Sequence, residues 1–328
     1  MSIASTYAVE AAGLRKSYSA GRGKPSVQAL DGLGFTVAPG TVFGLLGPNG
    51  AGKSTTVKIL ATLSRADEGT ASVAGADVAT DPDVVRRRIG LVSQKPSSDP
   101  MATGRENLVL AGRIQGMSGT DANERADWLL ERFGIADAGA RLVRTWSGGM
   151  ARKLDVAIGL VHRPAVLFLD EPTTGLDPEA RAELWREIER MAGEDQMTVL
   201  LTTHYLDEAD HLADRLAIID HGRVAVEGTP EELKSELHGD VLQVELEDDV
   251  SAERATGLVS ALDGISSVLR EGSVVRARTE SGARVVPAVF AALGDHGVVP
   301  VSATVARPSL DDVYLRYAGR SFAAEAVA

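Results

Sequence analysis

Short, nearly continuous apolar runs alternate with stretches of helical periodicity over the first two-thirds of the chain. "TVFGLLG" (41–47), "RIGLVSQ" (88–94), "AVLFLD" (165–170), "MTVLLTT" (197–203) and "RLAIID" (215–220) read as buried strands. Such near-continuous apolar runs are what a parallel sheet covered on both faces requires. Helix starts lie between them. Asp81-Pro82 and Asp177-Pro178 each place a cap residue before a first-turn proline, and Thr103 with Glu106 makes a capping box. "GTPEEL" (228–233) repeats the device with Thr229 as the cap. "SAGRGKPS" (19–26) reads as a flexible turn in an N-terminal sheet.

After "ELKSELHGD" (232–240) the pattern changes. "DVLQVELE" (240–247) alternates as a strand, "SAERATGLVSAL" (251–262) is helical, and "SSVLREGSVVRART" (266–279) is a hairpin about Glu271-Gly272. "GARVVPAVFAALG" (282–294) is helical again, "VVPVSATVA" (298–306) is a strand, and "SLDDVYLRYAG" is a short capped helix. The order βαββαβ is that of a split-βαβ, ferredoxin-like unit. The fold class expected is therefore α/β over residues 1–238, with a mixed sheet, followed by a small α+β domain over 239–328.

Composition narrows the function. The chain has 328 residues, enough for about two domains at ~150 residues each. Its net charge of −12 opposes a protein built to coat nucleic acid, so no nucleic-acid partner is expected. It contains no cysteine, which removes disulfides, zinc knuckles and thiol nucleophiles. The N-terminal "MSIASTYAVEAAG" lacks the charge pattern of a signal peptide, and no run reaches the ~18 apolar residues of a membrane span. Any membrane role is then borrowed from a partner.

"GPNGAGKS" fits G-x-x-x-x-G-K-[ST] and stands between an expected strand and an expected helix, the context that gives the motif its meaning. Gly47, Pro48, Asn49, Gly50, Ala51 and Gly52 would curl backbone N–H groups around phosphate oxygens at a helix N-terminus, with Thr55 in the first turn. Lys53 would reach the outer phosphates, and Ser54 would ligate magnesium. The strand "VLFLD" delivers Asp170 to that metal, with Glu171 next to it as base or orienting group for the attacking water. Gln94 ends another strand and is a candidate both for magnesium contact and for sensing the γ-phosphate. His204, Glu208 and His211 share one helix face, so a metal site competes with γ-phosphate donation by His204. The position of His204 at a strand end beside the phosphate strands favours the second.

One stretch resists a local explanation. "RTWSGGMARKLD" (144–155) puts Gly148 and Gly149 into the first turn of a credible helix, behind a tryptophan that looks exposed. Glycine costs about 1 kcal/mol relative to alanine in a helix interior. With the phosphate loop before it and "LFLDEP" after it, the chain resembles the ATP-binding subunits of ABC transporters over residues 7–235. In that family the serine-glycine-glycine turn binds the γ-phosphate held by a second subunit. The resemblance implies that Ser147, Gly148 and Gly149 do so here, that Tyr18 stacks on adenine, and that Gln94 and His204 are the Q-loop and switch residues. It also implies that Asp177, besides capping its helix, faces the nucleotide.

"TGRENLVLAGRIQGM", "DEPTTGLDP", "YLDEADHLADRLAIIDHGRV" and the tail "PSLDDVYLRYAGR" are similar to the daunorubicin/doxorubicin-resistance exporter branch along the whole chain. Trp146 replaces the usual leucine and Met150 the usual glutamine, whereas His204 follows the general family pattern. The resemblance implies an ATPase that binds ATP and magnesium, works as a homodimer, and drives a separate integral-membrane permease from the cytoplasmic face. A hydrophobic drug or natural product is the implied cargo. Sodium, lipid or polysaccharide export, a soluble ATPase linked to DNA or ribosomes, and a module that closes on ATP without turnover are the competing readings. The small C-terminal domain is expected to serve assembly.

Overall fold

The computed structural model describes residues 6–19, 26–237 and 239–318. Most of the turn expected at 19–26 lies outside them. Two compact units divide between Pro230 and Glu231, eight residues before the boundary expected from the pattern change. The helix opened by Pro230 accounts for the offset: the first unit ends where this helix begins, not where the next strand starts.

In the first unit, strands β1 (Val9–Tyr18) and β2 (Val27–Val37) precede β3 (Val42–Leu46), which leads through the phosphate loop into helix α1 (Lys53–Leu60). Then come β4 (Glu68–Val73), β5 (Ala76–Asp77), α2 (Pro82–Arg88), β6 (Ile89–Val92), α3 (Gly104–Ile114), α4 (Gly119–Arg132) and α5 (Gly148–Gly159). The unit continues with β7 (Val166–Asp170), α6 (Pro178–Gly193), β8 (Thr198–Thr203), α7 (Leu206–Leu212), β9 (Arg215–Asp220) and β10 (Arg223–Gly228). All five apolar runs form strands of one sheet in the order β10-β9-β3-β8-β7-β6. It is parallel except for the β9–β10 hairpin. A second, antiparallel sheet has the order β2-β1-β4-β5.

The continuous apolar runs now have their reason. Phe43, Leu45, Phe168 and Leu200 join the core formed with the antiparallel sheet and α1. Their alternating neighbours Val42, Leu167, Leu169, Val199 and Leu201 join a second core with residues of α3, α4, α5 and α6. Alternate side chains point to opposite faces of a strand, so burial of both faces leaves few polar positions, here mainly at the strand ends. Thr103 and Glu106 form the expected capping box on α3. Asp81 stands at the N-cap of α2 but its side chain caps nothing; it accepts from Thr80 Oγ1 at 2.7 Å instead.

In the second unit, α8 (Pro230–Ser235) precedes β11 (Asp240–Leu246), α9 (Asp249–Ser260), β12 (Ile265–Glu271), β13 (Val274–Thr279), α10 (Gly282–Asp295), β14 (Pro300–Ala306) and α11 (Leu310–Ala318). The sheet order β12-β13-β11-β14, antiparallel throughout, is the split-βαβ arrangement that the sequence pattern predicts. Leu242, Val244, Val275 and Ala277 from the sheet pack with Ala252, Val259, Val289 and Leu293 from α9 and α10 in a core of its own.

Candidate active site

β3, β6, β7 and β8 run parallel, so the loops after them leave the same edge of the sheet. Ligands of open α/β sheets bind at that edge. The phosphate loop follows β3, Gln94 follows β6, Glu171 follows β7, and His204 follows β8. Four segments separated in sequence by whole helices thus meet because one sheet collects their ends.

The phosphate loop is held from behind. Ala51 N donates to Pro48 O at 3.2 Å, and Gly222 N donates to Ala51 O at 3.0 Å. Gly52 caps α1 with a φ of 110°. A Cβ there would lie 2.6 Å from Ala29 O, so only glycine combines this backbone with this packing. Lys53 is buried and folds onto its own loop, donating to Gly47 O at 2.6 Å and Pro48 O at 3.1 Å. Burial lowers its pKa, while the charges of Glu171 and Asp170 act in the opposite direction. Its ammonium lies 3.7 Å from Glu171 Oε1.

Ser54 Oγ donates to Asp170 Oδ1 at 3.1 Å, which puts the two expected magnesium ligands side by side. A hydroxyl and a carboxylate oxygen suit a hard cation, and together with the amide cradle of α1 they fit a magnesium–triphosphate group. Thr202, in register opposite Asp170 on β8, donates its hydroxyl to the same Oδ1 at 2.6 Å. That hydroxyl also accepts from Glu171 N at 3.1 Å, as does Thr202 O. These bonds hold Glu171 at a φ of 49°, a left-handed conformation that costs a non-glycine residue about 1–2 kcal/mol.

Besides Lys53, the Glu171 carboxylate has three side-chain neighbours. Gln94 Nε2 donates to Oε2 at 3.1 Å, and Thr174 Oγ1 donates to the same oxygen at 3.4 Å. His204 Nδ1 approaches Oε1 to 3.3 Å but lies off the line of a hydrogen bond. The His204 imidazole, and the Lys53 charge after it, hold the Glu171 carboxyl below the usual glutamate range against the opposing effect of burial. An ionised carboxylate beside a magnesium-type ligand pair is an arrangement able to take a proton from water.

The metal alternative at His204, Glu208 and His211 finds no support. Glu208 is fully buried and accepts from Trp185 Nε1 at 3.1 Å, whereas His211 is half exposed beside Glu189. No cluster of three metal-ligating side chains occurs among the described residues. Tyr18 ends β1 with 40% of its surface exposed, so it is not a core residue. Asp177 caps α6 through Ala180 N at 2.8 Å, as its Asp-Pro step predicts.

The serine-glycine-glycine turn divides into two explanations. Ser147 is the N-cap of α5 and accepts from Met150 N at 3.2 Å. Gly149 is required by packing within the chain, since a Cβ there would fall 2.8 Å from Ala180 Cβ. Gly148 faces open space, with nothing within 4 Å of a Cβ, so internal packing does not explain it. Trp146, read from sequence as exposed, is half buried and packs against the second core.

Sequence reasoning missed Thr202 and Arg152. The buried Arg152 guanidinium on α5 reaches carbonyls of Ser93, Asp170, Glu171 and Pro172. Thr202 sits in an ordinary strand run and Arg152 on an ordinary helix, and neither position carries a local signal.

Residues 30–174 match the ABC transporter family, and residues 228–318 match the C-terminal domain of DrrA1-3-like ATP-binding proteins. The chain is 48% identical to the daunorubicin/doxorubicin resistance ATP-binding protein DrrA of Streptomyces peucetius, covering 97% of this chain and 94% of that one. It is 41% identical to the doxorubicin resistance ATP-binding protein DrrA of Mycobacterium tuberculosis, over 94% and 92% of the two chains. Among solved structures it resembles the dimeric post-hydrolysis ATP-binding cassette MJ0796 bound to ADP and Pi. The TM-score is 0.62 at 26% identity, over 67% of this chain and 98% of that one. It also resembles cbiO1 of Clostridium perfringens, part of an ABC transporter complex, with a TM-score of 0.63 at 27% identity over 70% and 92% of the chains.

Proposed function

The chain belongs to the ATP-binding subunits of ABC transporters, in the daunorubicin/doxorubicin-resistance group, and from that premise we propose that two copies close on ATP to drive drug export. The observation that carries the reading is the convergence of Lys53, Ser54, Asp170, Glu171, Gln94 and His204 at one sheet edge. Lys53 exchanges its loop carbonyls for outer phosphate oxygens. Ser54, Asp170 and Gln94 hold magnesium, which when bound neutralises charge on the β- and γ-phosphates. Glu171 orients the attacking water and accepts its proton, and His204 donates to the γ-phosphate. Tyr18 stacks on adenine, and Asp177 faces the nucleotide.

Ser147 and the amides of Gly148 and Gly149 complete the site on the opposing copy. Moving a dimer from mostly open to mostly closed takes about 5.5 kcal/mol of differential affinity. Charge-assisted hydrogen bonds at about 1.5–3 kcal/mol each reach that scale when several form at two sites. Hydrolysis removes the γ-phosphate and with it this difference, so the copies separate.

No helix among the described residues is long and apolar enough to cross a membrane. The motion is coupled to a separate permease, through the Gln94 region and the following segment "SSDPMATGREN", from the cytoplasmic face. The drug-resistance names of the relatives favour a hydrophobic drug or natural product as cargo. Efflux of a drug panel from cells expressing this chain with and without a co-expressed permease tests the reading. Efflux should require both proteins and disappear with Glu171→Gln. Efflux indifferent to that substitution would overturn it.

A further inference from the structure

Arg152 and Asp155 lie on α5 within three helical turns of Ser147, yet neither faces the surface that carries the serine-glycine-glycine turn. Both are buried. Arg152 Nε donates to Pro172 O at 2.7 Å and its Nη1 to Ser93 O at 2.7 Å. Its Nη2 reaches Asp170 O and Glu171 O at 3.3 Å each. Asp155 Oδ1 accepts from Ser97 N at 2.9 Å and from Ser98 N at 3.0 Å.

We infer that Arg152 and Asp155 are positioning residues that clamp α5 to the Gln94 loop and to the Glu171 turn of the same chain. A phosphate contact made at the N-terminus of α5 is thereby transmitted to the chain's own Glu171 and to residues 93–98. The inference rests on the proposed role of the Ser147 turn at an opposing nucleotide.

Packing alone does not account for this pair. A buried guanidinium loses its hydration, and burial pushes the Arg152 pKa down against the pull of Asp155, Asp170 and Glu208. Apolar residues would fasten a helix without that penalty. What the guanidinium adds is direction, because its planar fork satisfies carbonyls of two separate loops at once. Asp155 takes the far side of the same loop by its amides, so the segment after β6 is held at both ends. Arg152 meets Asp170 and Glu171 only at their backbone carbonyls, and Asp155 meets only the amides of Ser97 and Ser98, so their effect passes through the loops that carry Glu171 and Gln94.

The full chain carrying Glu171→Gln, with and without magnesium and ATP, gives the test. ATP should slow hydrogen exchange of the Ser97 and Ser98 amides. Adding Arg152→Lys or Asp155→Ala should cut that response about fivefold or more while affinity for a fluorescent ATP analogue stays within about twofold. Asp155→Asn keeps an acceptor oxygen and should preserve the response. With Glu171 restored, Arg152→Lys should lower kcat about tenfold with little change in KM. If Arg152→Lys does not fold, Asp155→Ala against Asp155→Asn carries the same comparison. A full ATP response and unchanged kcat in both disruptive variants would overturn the clamp. Absence of ATP binding before any clamp variant is made would overturn the site reading itself, and the clamp with it.

Discussion

The indole of Trp146 lies across Gly104: a Cβ on that glycine would fall 2.3 Å from Cη2 and 2.5 Å from Cζ2 of the ring. The residue before the serine-glycine-glycine turn therefore packs on the first residue of α3. Gly104→Ala should destabilise the protein by about 1–3 kcal/mol, as overpacking does. Trp146→Leu should relieve most of that cost, giving a coupling of about 1 kcal/mol or more in a double-mutant cycle read by denaturant unfolding. Trp146→Leu alone should keep ATPase activity within a few fold. A collapse of activity without loss of stability would show that the ring acts in the nucleotide contact.

Glu171→Gln keeps the shape of the side chain and leaves Gln94 Nε2 an acceptor, but removes the group that takes the proton. Phosphate release should slow by about 10²–10⁴, the range for loss of a general base. Nucleotide binding should persist, and size-exclusion chromatography with ATP should show a trapped dimer. Wild-type turnover would remove Glu171 from the mechanism.

The pH dependence follows from the same carboxylate. With its pKa held low by His204 first and Lys53 after it, Glu171 stays ionised at neutral pH. The acid limb of kcat assigned to Glu171 should therefore lie below the usual glutamate range. The stability it contributes is present above its unfolded pKa and is lost as pH falls through the lower folded value. His204→Ala should move the acid limb upward, which a pH–rate profile of the residual activity reads directly.

Thr202→Val removes the hydroxyl that bonds Asp170 Oδ1 and Glu171 N while keeping the branched shape in the strand. The Glu171 amide retains Thr202 O, so the fold should lose only about 1–2 kcal/mol. Magnesium dependence should suffer more. Loss of a ligand's supporting hydrogen bond weakens metal affinity about 10–100-fold. Titration of ATPase activity with magnesium distinguishes the two effects.

Removing residues 231 onward deletes a unit with its own core. ATP-analogue binding should be spared, while assembly with a second copy or with the permease should weaken. Loss of nucleotide binding in a folded truncated chain would contradict an assembly role.

Sequence alone determined the strands, because burial of both faces of β3, β7 and β8 favours near-continuous apolar runs, broken mainly at their ends. It determined the phosphate loop and the caps at Thr103 and Asp177, whose hydrogen bonds close within three residues. The order of elements was enough for the ferredoxin-like unit, since its topology follows from strand and helix succession. Tertiary structure decided the rest. It separated Gly149, fixed by Ala180, from Gly148, which faces open space, and it buried half of a tryptophan that looked exposed. It brought Arg152 to Ser93 across 59 positions and Asp155 to Ser97 across 58. Such bonds leave no periodicity in the chain, because their partners are backbone groups that every residue carries, and only folding selects which of them a side chain meets.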